Sequence, residues 1–392
     1  MPQADCAQTT GDVSRKNLLI TGDEIARLRK DTPSAEELLH FDNAGASPLP
    51  QPVYRAIDTH LRLEAKLGGY AAGREVETEA AALYNSLARL IGAEPGEMAF
   101  AESATRAWDL AFYGISLKPG DKILLGRTEY SSNYLAMLQR AKSCGAELVI
   151  IPDAADGTID LQHLADQMDD RVRIVSICHV PTSNGLINDV EAVGRIVKEH
   201  PALYLLDACQ SVGQIDLDVN RIGCDVLTGT GRKFLRGPRG TGFLYVRKAV
   251  LDQFEPPFVD IRGARWTQRD SFEWREDTRR FETWESAIAL RLGLGAAVDY
   301  ALEIGIGRIE ARIVALAEEL RACLATDKRI KLADRGTARC GIITFAMPGD
   351  VGENCVRLRE KGLMCGAVEC GDARLDLEWD RPHSIIRLSP HC

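Results

Sequence analysis

Apolar positions recur at helical spacing from Ala56 to Leu67 and again from Glu77 to Ile91, the second run stopping at Gly92. Two amphipathic helices are therefore expected at the start of a packed body. Beyond them the rhythm changes: short β-rich runs at Lys122 to Leu125, Glu147 to Ile151, Val172 to Ile177 and Ala202 to Leu206 alternate with helical or loop stretches. That alternation predicts a parallel sheet. The later runs are apolar without an in/out alternation, so helices should cover both faces. From about Arg291 the pattern predicts a long helix, Leu292 to Leu324, followed by strand-like runs at Gly341 to Phe345 and Ser384 to Leu388. The chain thus divides into a polar leading arm over 1–45, with a short helical pattern around Glu24 to Arg29, a large domain over 46–290, and a smaller α+β domain over 291–392.

Composition narrows the function classes. With 392 residues, 45% apolar and 27% charged, the chain is long enough for two or three domains and has the make-up of a packed enzyme-sized protein. Its 48 Lys and Arg against 57 Asp and Glu leave a net charge of −9, which argues against nucleic-acid and anionic-membrane partners. Eleven cysteines without the spacing of a secreted framework fit a reducing compartment. No basic segment followed by an apolar run opens the chain, and no stretch approaches the ~20 apolar residues of a spanning helix. A cytoplasmic protein is expected. The seven His and eleven Cys show neither close Cys pairs nor a His-Glu-x-x-His spacing, so no metal is expected.

In an open parallel sheet, ligands sit beyond the carboxyl ends of the strands. After Met98-Ala99-Phe100 comes Glu102-Ser103-Ala104-Thr105, opening a helical run. Small and hydroxyl residues at a helix start serve either as an ordinary cap or as an anion site. After Tyr204-Leu205-Leu206 comes Asp207, then Ala208-Cys209-Gln210. A carboxylate in that apolar setting needs a cation, unless it is a helix cap or an ion-pair member. Lys233 ends the segment Thr228-Gly229-Thr230-Gly231-Arg232-Lys233. Flanked by glycines and apolar residues, its amine is suited to Schiff-base chemistry, and equally to contacting phosphate or solvent. The pair Gly229-x-Gly231 lacks the third glycine and later acid of a dinucleotide motif.

Taken together, Ser103 to Thr105, Asp207 with Gln210, and Thr230-Gly231-Arg232-Lys233 resemble, in order and type, the class V aminotransferase-like enzymes that bind pyridoxal 5'-phosphate. That group includes cysteine desulfurases, isopenicillin epimerase-like proteins and carbon–sulfur lyases. The similarity runs from Phe41-Asp42-Asn43-Ala44-Gly45 to Arg387. The stretch Thr228 to Val246, TGTGRKFLRGPRGTGFLYV, is similar to the hercynylcysteine sulfoxide lyases. The resemblance implies the PLP-dependent transferase fold of type I. It assigns Lys233 to the cofactor aldehyde and Asp207 to the pyridine nitrogen. Ala104, Thr105, Thr230 and Arg232 fall to the phosphate, Tyr130 to the place where relatives stack a histidine on the ring, and Gln210 and Thr182 to the phenolic oxygen. Arg387, in Ile386-Arg387-Leu388-Ser389, is the implied anchor of the substrate α-carboxylate, with Asn43 also on the substrate side.

Further implications concern partners and reaction. The segment Arg280 to Glu285 matches a stretch that approaches the cofactor phosphate of a neighbouring subunit, which implies a homodimer with shared sites. The implied reaction is β-elimination from a cysteine conjugate or sulfoxide, giving a thiol or sulfenate, pyruvate and ammonia; desulfuration, epimerisation and transamination are the alternatives within the family. Outside enzymology stands a cofactor-free scaffold of the same fold. Two departures bear on the choice. Desulfurases carry a cysteine shortly before the carboxylate-binding arginine, and here that place holds Asp372, with Cys370 two residues away and Cys365 further back. The chain also stops at Ser389-Pro390-His391-Cys392, where relatives continue into a final helix. The loop Phe258 to Trp274, with Arg262, Arg265 and Arg269, is either a specificity element or a solvated face.

Overall fold

The computed structural model describes residues 19–369, 372–376 and 384–392. Its centre is a seven-stranded sheet: β1 (Met98–Ala101), β2 (Lys122–Gly126), β3 (Glu147–Ile151), β4 (Val172–Cys178), β5 (Leu203–Asp207), β6 (Val226–Thr230) and β7 (Gly242–Val246). The spatial order is β1-β7-β6-β5-β4-β2-β3. Strand β7 runs antiparallel to both of its neighbours, and the remaining pairs are parallel. The expected runs therefore all become strands, each within one residue of its expected bounds.

Alternation along these strands sorts the core into two layers. Phe100, Leu124, Val175, Tyr204, Leu206, Leu227 and Phe243 pack with the helices Glu77–Ile91 and Val190–Val197. Ala99, Ile123, Leu125, Ile174, Leu205, Val226 and Leu244 pack with Ala104–Tyr113 on the other side. Both faces are apolar because both are covered, which is why the strands carried no in/out alternation in the sequence. The helix Glu77–Ile91 ends at Gly92 in the left-handed conformation, φ 71°, the stop that only glycine adopts at little cost.

Three expectations need correction. The single helix expected over Leu292 to Leu324 is two, Ile288–Ile304 and Ile306–Leu324, because Gly305 at φ 94° breaks an apolar pattern that continues on either side. The first of the two packs on Gln51–Leu67 so closely that a Cβ at Gly293 would stand 2.7 Å from Ile57. A boundary at 291 thus falls inside a helix of the large body. Lastly, the leading segment is not a free arm where it is described. Leu39–His40 pairs in parallel with Leu363–Met364, and Asp42 bridges to Ser389, so this stretch is tied to the C-terminal part. Residues 1–18 lie outside the described residues.

The C-terminal part is an antiparallel sheet in the order β8-β9-β11-β10, formed by β8 (Lys331–Leu332), β9 (Ile343–Ala346), β10 (Gly366–Glu369) and β11 (Ser384–Leu388). It has its own small core of Ile343, Phe345, Ile386 and Leu388 against the helix Ile306–Leu324. No helix among the described residues is long and apolar enough to cross a membrane.

One close approach sets the mouth of the sheet. A Cβ at Gly242, the first residue of β7, would stand 2.5 Å from the Ser103 carbonyl carbon and 2.6 Å from the Ala104 nitrogen. Gly242→Ala should therefore displace the start of the helix Ala104–Tyr113 and cost roughly 1–3 kcal/mol in denaturant unfolding, the usual cost of overpacking. Gly295→Ala, whose Cβ meets nothing nearer than Leu83 at 3.9 Å, should instead stabilise by up to about 1 kcal/mol.

Candidate active site

Beyond the carboxyl ends of β1, β2, β4, β5 and β6 lies a cavity of about 590 Å³, whose walls include Ala104, Thr105, Tyr130, Thr182, Asp207, Gln210, Thr230, Arg232 and Lys233. Every residue expected at the cofactor thus reaches one place, though 129 positions separate Ala104 from Lys233. Each sits where a strand ends or a helix begins, so the sheet itself brings them together.

The helix Ala104–Tyr113 points its start at the cavity. Ser103 caps it by accepting the Arg106 amide at 3.0 Å, so the hydroxyl serves the helix itself. The first-turn amides at Ala104 and Thr105 have no carbonyl of their own helix to bind, and with the helix dipole they favour an anion. Arg232 flanks the cavity, its guanidinium donating to the Gly45 carbonyl.

Asp207 is buried at the end of β5. Its Oδ2 accepts the Asn133 amide at 2.9 Å and its Oδ1 the Cys209 backbone N–H at 2.9 Å. No cation forms an ion pair with it among the described residues. The ion-pair alternative therefore does not apply: one oxygen caps the turn that follows β5 through Cys209, and the residue lines the cavity with neutral donors as its hydrogen-bond partners. Lys233 is buried as well, and burial lowers its amine below the usual lysine range. The Arg232 and Arg387 charges add to that lowering, while Cys209 and Asp207 oppose it. Gln210 donates to the Ala44 carbonyl at 3.2 Å and to Thr182 at 3.4 Å, and its own Oε1 is buried without a partner.

The substrate-side residues divide. Arg387, on β11, donates to Thr182 Oγ1 at 2.6 Å and to Asp42 Oδ1 at 3.3 Å, so it stands behind the cavity wall at Thr182. Asn43 is a correction. Its amide donates to the Ser389 carbonyl at 2.7 Å and its oxygen accepts the Ser47 hydroxyl at 2.8 Å, which commits it to joining the leading segment to β11. It does not line the cavity.

Other candidates fall away from it. Cys365 is buried in the C-terminal part, with its thiol pushed up to about 12 by burial and the neighbouring Cys355. Cys370 lies outside the described residues. Asp372 is exposed next to Ala373, which does line the cavity. The segment Phe258 to Trp274 forms a hairpin of Ala264–Gln268 and Ser271–Trp274. In it Arg265 pairs with Glu273 at 2.6 Å, and before it Arg262 pairs with Glu282 at 3.3 Å, neither reaching the cavity. No cluster of three or more His, Cys, Asp or Glu capable of holding a metal occurs among the described residues.

Sequence reasoning overlooked four wall or near-wall residues: Glu129, Cys178, Cys209 and, through Asp207, Asn133. Thr128-Glu129 follows β2 just as Asp207 ends β5, so position after a strand was the available signal for Glu129. Asn133 carried none, because its role depends on the first turn of the helix Ser131–Cys144 packing against β5.

The comparisons with known proteins agree with this geometry. The family model described as aminotransferase class-V matches residues 39–366, and the chain belongs to that family. It is 33% identical over 288 residues to a probable cysteine desulfurase of Pyrococcus abyssi, covering 72% of each chain. Among solved structures it resembles the apo cysteine desulfurase of Thermococcus onnurineus NA1 with a TM-score of 0.84 at 26% identity, covering 93% of each chain. The complex of the cystine C–S lyase C-DES with cysteine persulfide shares the fold, with a TM-score of 0.82 at 22% identity, over 92% of this chain and 94% of that one. The family works with pyridoxal phosphate, and the cavity fits it: a buried anion without a cation, an unpartnered Gln210 oxygen, a helix start for a phosphate and a buried amine. The protein is a pyridoxal-phosphate-dependent enzyme of the class V family.

Replacing Asp207 by Asn removes the charge and keeps the shape. Retention of pyridoxal phosphate, followed by equilibrium dialysis, should weaken roughly ten- to a hundredfold, as expected for a charged hydrogen bond of about 1.5–3 kcal/mol.

Proposed function

We propose that the enzyme cleaves a carbon–sulfur bond of a cysteine-derived amino acid by β-elimination, acting on a cysteine conjugate or cysteine sulfoxide and releasing a thiol or sulfenate, pyruvate and ammonia. The observation that carries this reading is the convergence of Lys233 and Asp207 on one cavity, with Arg387 held just behind it through Thr182. Bound pyridoxal phosphate supplies a sink for the electron pair left when the substrate Cα–H bond breaks. Lys233 is the residue that attaches the cofactor aldehyde and, once displaced by the substrate amine, takes up the Cα proton. Its lowered proton affinity suits that task, since a fully protonated amine is no base. Asp207 holds a proton at the ring nitrogen, and the first-turn amides of Ala104 and Thr105, with Thr230 and Arg232, receive the phosphate. Tyr130 would stand at the ring face, with Gln210 and Thr182 at the phenolic oxygen. Arg387 orients the substrate carboxylate, its own direction fixed by Asp42 and Thr182.

Elimination and desulfuration differ in where the sulfur goes. In elimination the Cβ–S bond breaks and sulfur departs with the bonding electrons; the released aminoacrylate then hydrolyses to pyruvate and ammonia. Desulfuration needs a thiolate within reach. Cys178 and Cys209 line the cavity, but burial and the Asp207 charge push both thiols well above the usual range. Of the segment beside the cavity, the described residues are anchored: Ser131 donates to the Asp372 carbonyl, and Asp376 accepts from Ser183 and from Asn184, the latter at 3.2 Å. The second reading, a cysteine desulfurase, is favoured by the names of relatives such as that of Pyrococcus abyssi.

We read the enzyme as a cytoplasmic homodimer. The described cysteines are all unpaired, and Phe258, Ile261, Trp266 and Trp284 are large, exposed apolar side chains around the segment Arg280 to Glu285.

Three measurements test this reading. Holoenzyme given cysteine conjugates and sulfoxides should yield pyruvate and ammonia in step with the thiol or sulfenate; alanine with an enzyme persulfide would instead establish the desulfurase. Borohydride should fix the cofactor's mass on the peptide containing Lys233, and Lys233→Ala should lose both this label and multiple turnover. Sedimentation should give the mass of two chains.

A further inference from the structure

Glu129 is buried beside Asp207, and one side chain joins them. The Asn133 amide nitrogen lies 2.9 Å from Glu129 Oε1 and 2.9 Å from Asp207 Oδ2, so its two N–H groups are divided between two carboxylates less than about 6 Å apart. Ser176 of β4 adds a hydrogen bond to Glu129 Oε2 at 2.9 Å, and the Tyr130 backbone N–H donates to Oε1 at 3.0 Å. Glu129 has no ion pair to a cation among the described residues, and it lines the cofactor cavity.

We propose that Glu129 is a proton-linked positioning residue, which through Asn133 sets how strongly Asp207 holds the cofactor's ring nitrogen and so couples cofactor binding to pH. This rests on the assignment of Asp207 to that nitrogen.

The surroundings can bond to Glu129 in either protonation state. Ionised, the carboxylate accepts from Asn133, Ser176 and the Tyr130 amide. Protonated on Oε2, it donates to the Ser176 hydroxyl, which turns to accept, and Oε1 keeps its two donors. The ionised state therefore pairs every donor of the cluster, whereas the protonated state releases the Ser176 O–H from its acceptor. Burial first and the Asp207 charge second oppose ionisation, while the bonds from Asn133, Ser176 and Tyr130 favour it; together they push the carboxyl up to about 7.

The other titratable groups facing this pair are Cys178 on β4, Cys209 after β5, and Lys233 after β6. Both thiols are raised and stay neutral at this pH. His179, whose backbone N–H donates to the Asp207 carbonyl, is lowered to about 4 by burial and is neutral too. Lys233, lowered by burial, is present in wild type and Glu129 variants alike, so a difference between them isolates the charge of Glu129 beside Asp207. A ring nitrogen bound with its proton is a cation and favours ionised Glu129. Binding should then expel the Glu129 proton, and affinity should rise as pH rises through its titration.

The test uses pyridoxine 5'-phosphate, which carries an alcohol in place of the aldehyde and so reports ring and phosphate binding without Lys233 chemistry. Its affinity for the full-length apoprotein is measured from pH 6 to 8 for wild type and Glu129→Gln. The ratio between the two cancels titration of the phosphate. Wild type should gain roughly five- to tenfold over the variant across this range, about the effect of one unit of coupling. Calorimetry in buffers of different ionisation enthalpy should show proton release that the variant lacks. Ser176→Ala, which removes a donor to the charged form, should move the wild-type inflection to higher pH and covers the case in which the glutamine variant fails to fold. Parallel pH profiles for wild type and Glu129→Gln, or, where that variant does not fold, an unmoved inflection in Ser176→Ala, would overturn the role of Glu129 while leaving the cofactor assignment standing. Absence of analogue binding to wild type at every pH would overturn both.

Discussion

A carboxylate buried at the end of a strand with only amide donors for company is the constraint around which this molecule is organised. Asp207 accepts from Asn133 and from the Cys209 backbone, and these bonds orient the charge without neutralising it. Transfer of such a charge from water is costly unless a cation arrives. The fold therefore carries a site that is more favourable filled than empty, and the natural filler is a ring nitrogen that holds its proton. The nearby amine does not fill the role. Lys233 is lowered by burial and by the Arg232 and Arg387 charges, so its proton affinity is kept down beside the very anion that raises it. On the proposed roles, one group keeps a proton on the ring and the other is free to take one from substrate, and that separation would follow from where each sits relative to the other charges.

The second organising contact lies at the junction of the parts. Arg387 belongs to the C-terminal sheet, Thr182 follows β4 of the large sheet, and Asp42 comes from the leading segment, yet the arginine holds all three. Asn43 supports the same junction through Ser389 and Ser47. Positioning a guanidinium for a carboxylate to better than an ångström requires its supporting partners to be rigid. Here they are supplied by backbone pairing of Leu39–His40 with Leu363–Met364 and by the bridge from Asp42 to Ser389. What reads in the sequence as a polar arm is, from Leu39 onward, part of the scaffold that holds Arg387.

The sheet was legible because its strands are buried on both faces, which produces uninterrupted apolar runs between polar turns. Positions just after those runs then pointed to Asp207, Lys233 and the helix start at Ala104. Legibility failed where a residue's role depends on its neighbours in space. Gly305 splits a helix whose apolar period is unbroken, since periodicity reports which face is buried and is silent about φ. Asn43 sits in a stretch similar to the family's, but its amide is consumed by the junction. Asn133 and Ser176 look like ordinary polar residues in a helix and a strand until β4, β5 and that helix are assembled.

The same electrostatics bear on how the sulfur leaves. A thiol becomes a nucleophile by losing its proton, and thiolates form where cations are near and carboxylates are not. At Cys178 and Cys209 burial is the first cause and Asp207 the second, joined by Glu129 at Cys178, and these outweigh the opposing charges of Lys233 and, at Cys209, Arg232. An anionic wall that stabilises a protonated ring is for that reason a poor place to generate a sulfur nucleophile. Among the described residues, the charge and burial that leave Asp207 in need of a cation thus also keep Cys178 and Cys209 protonated.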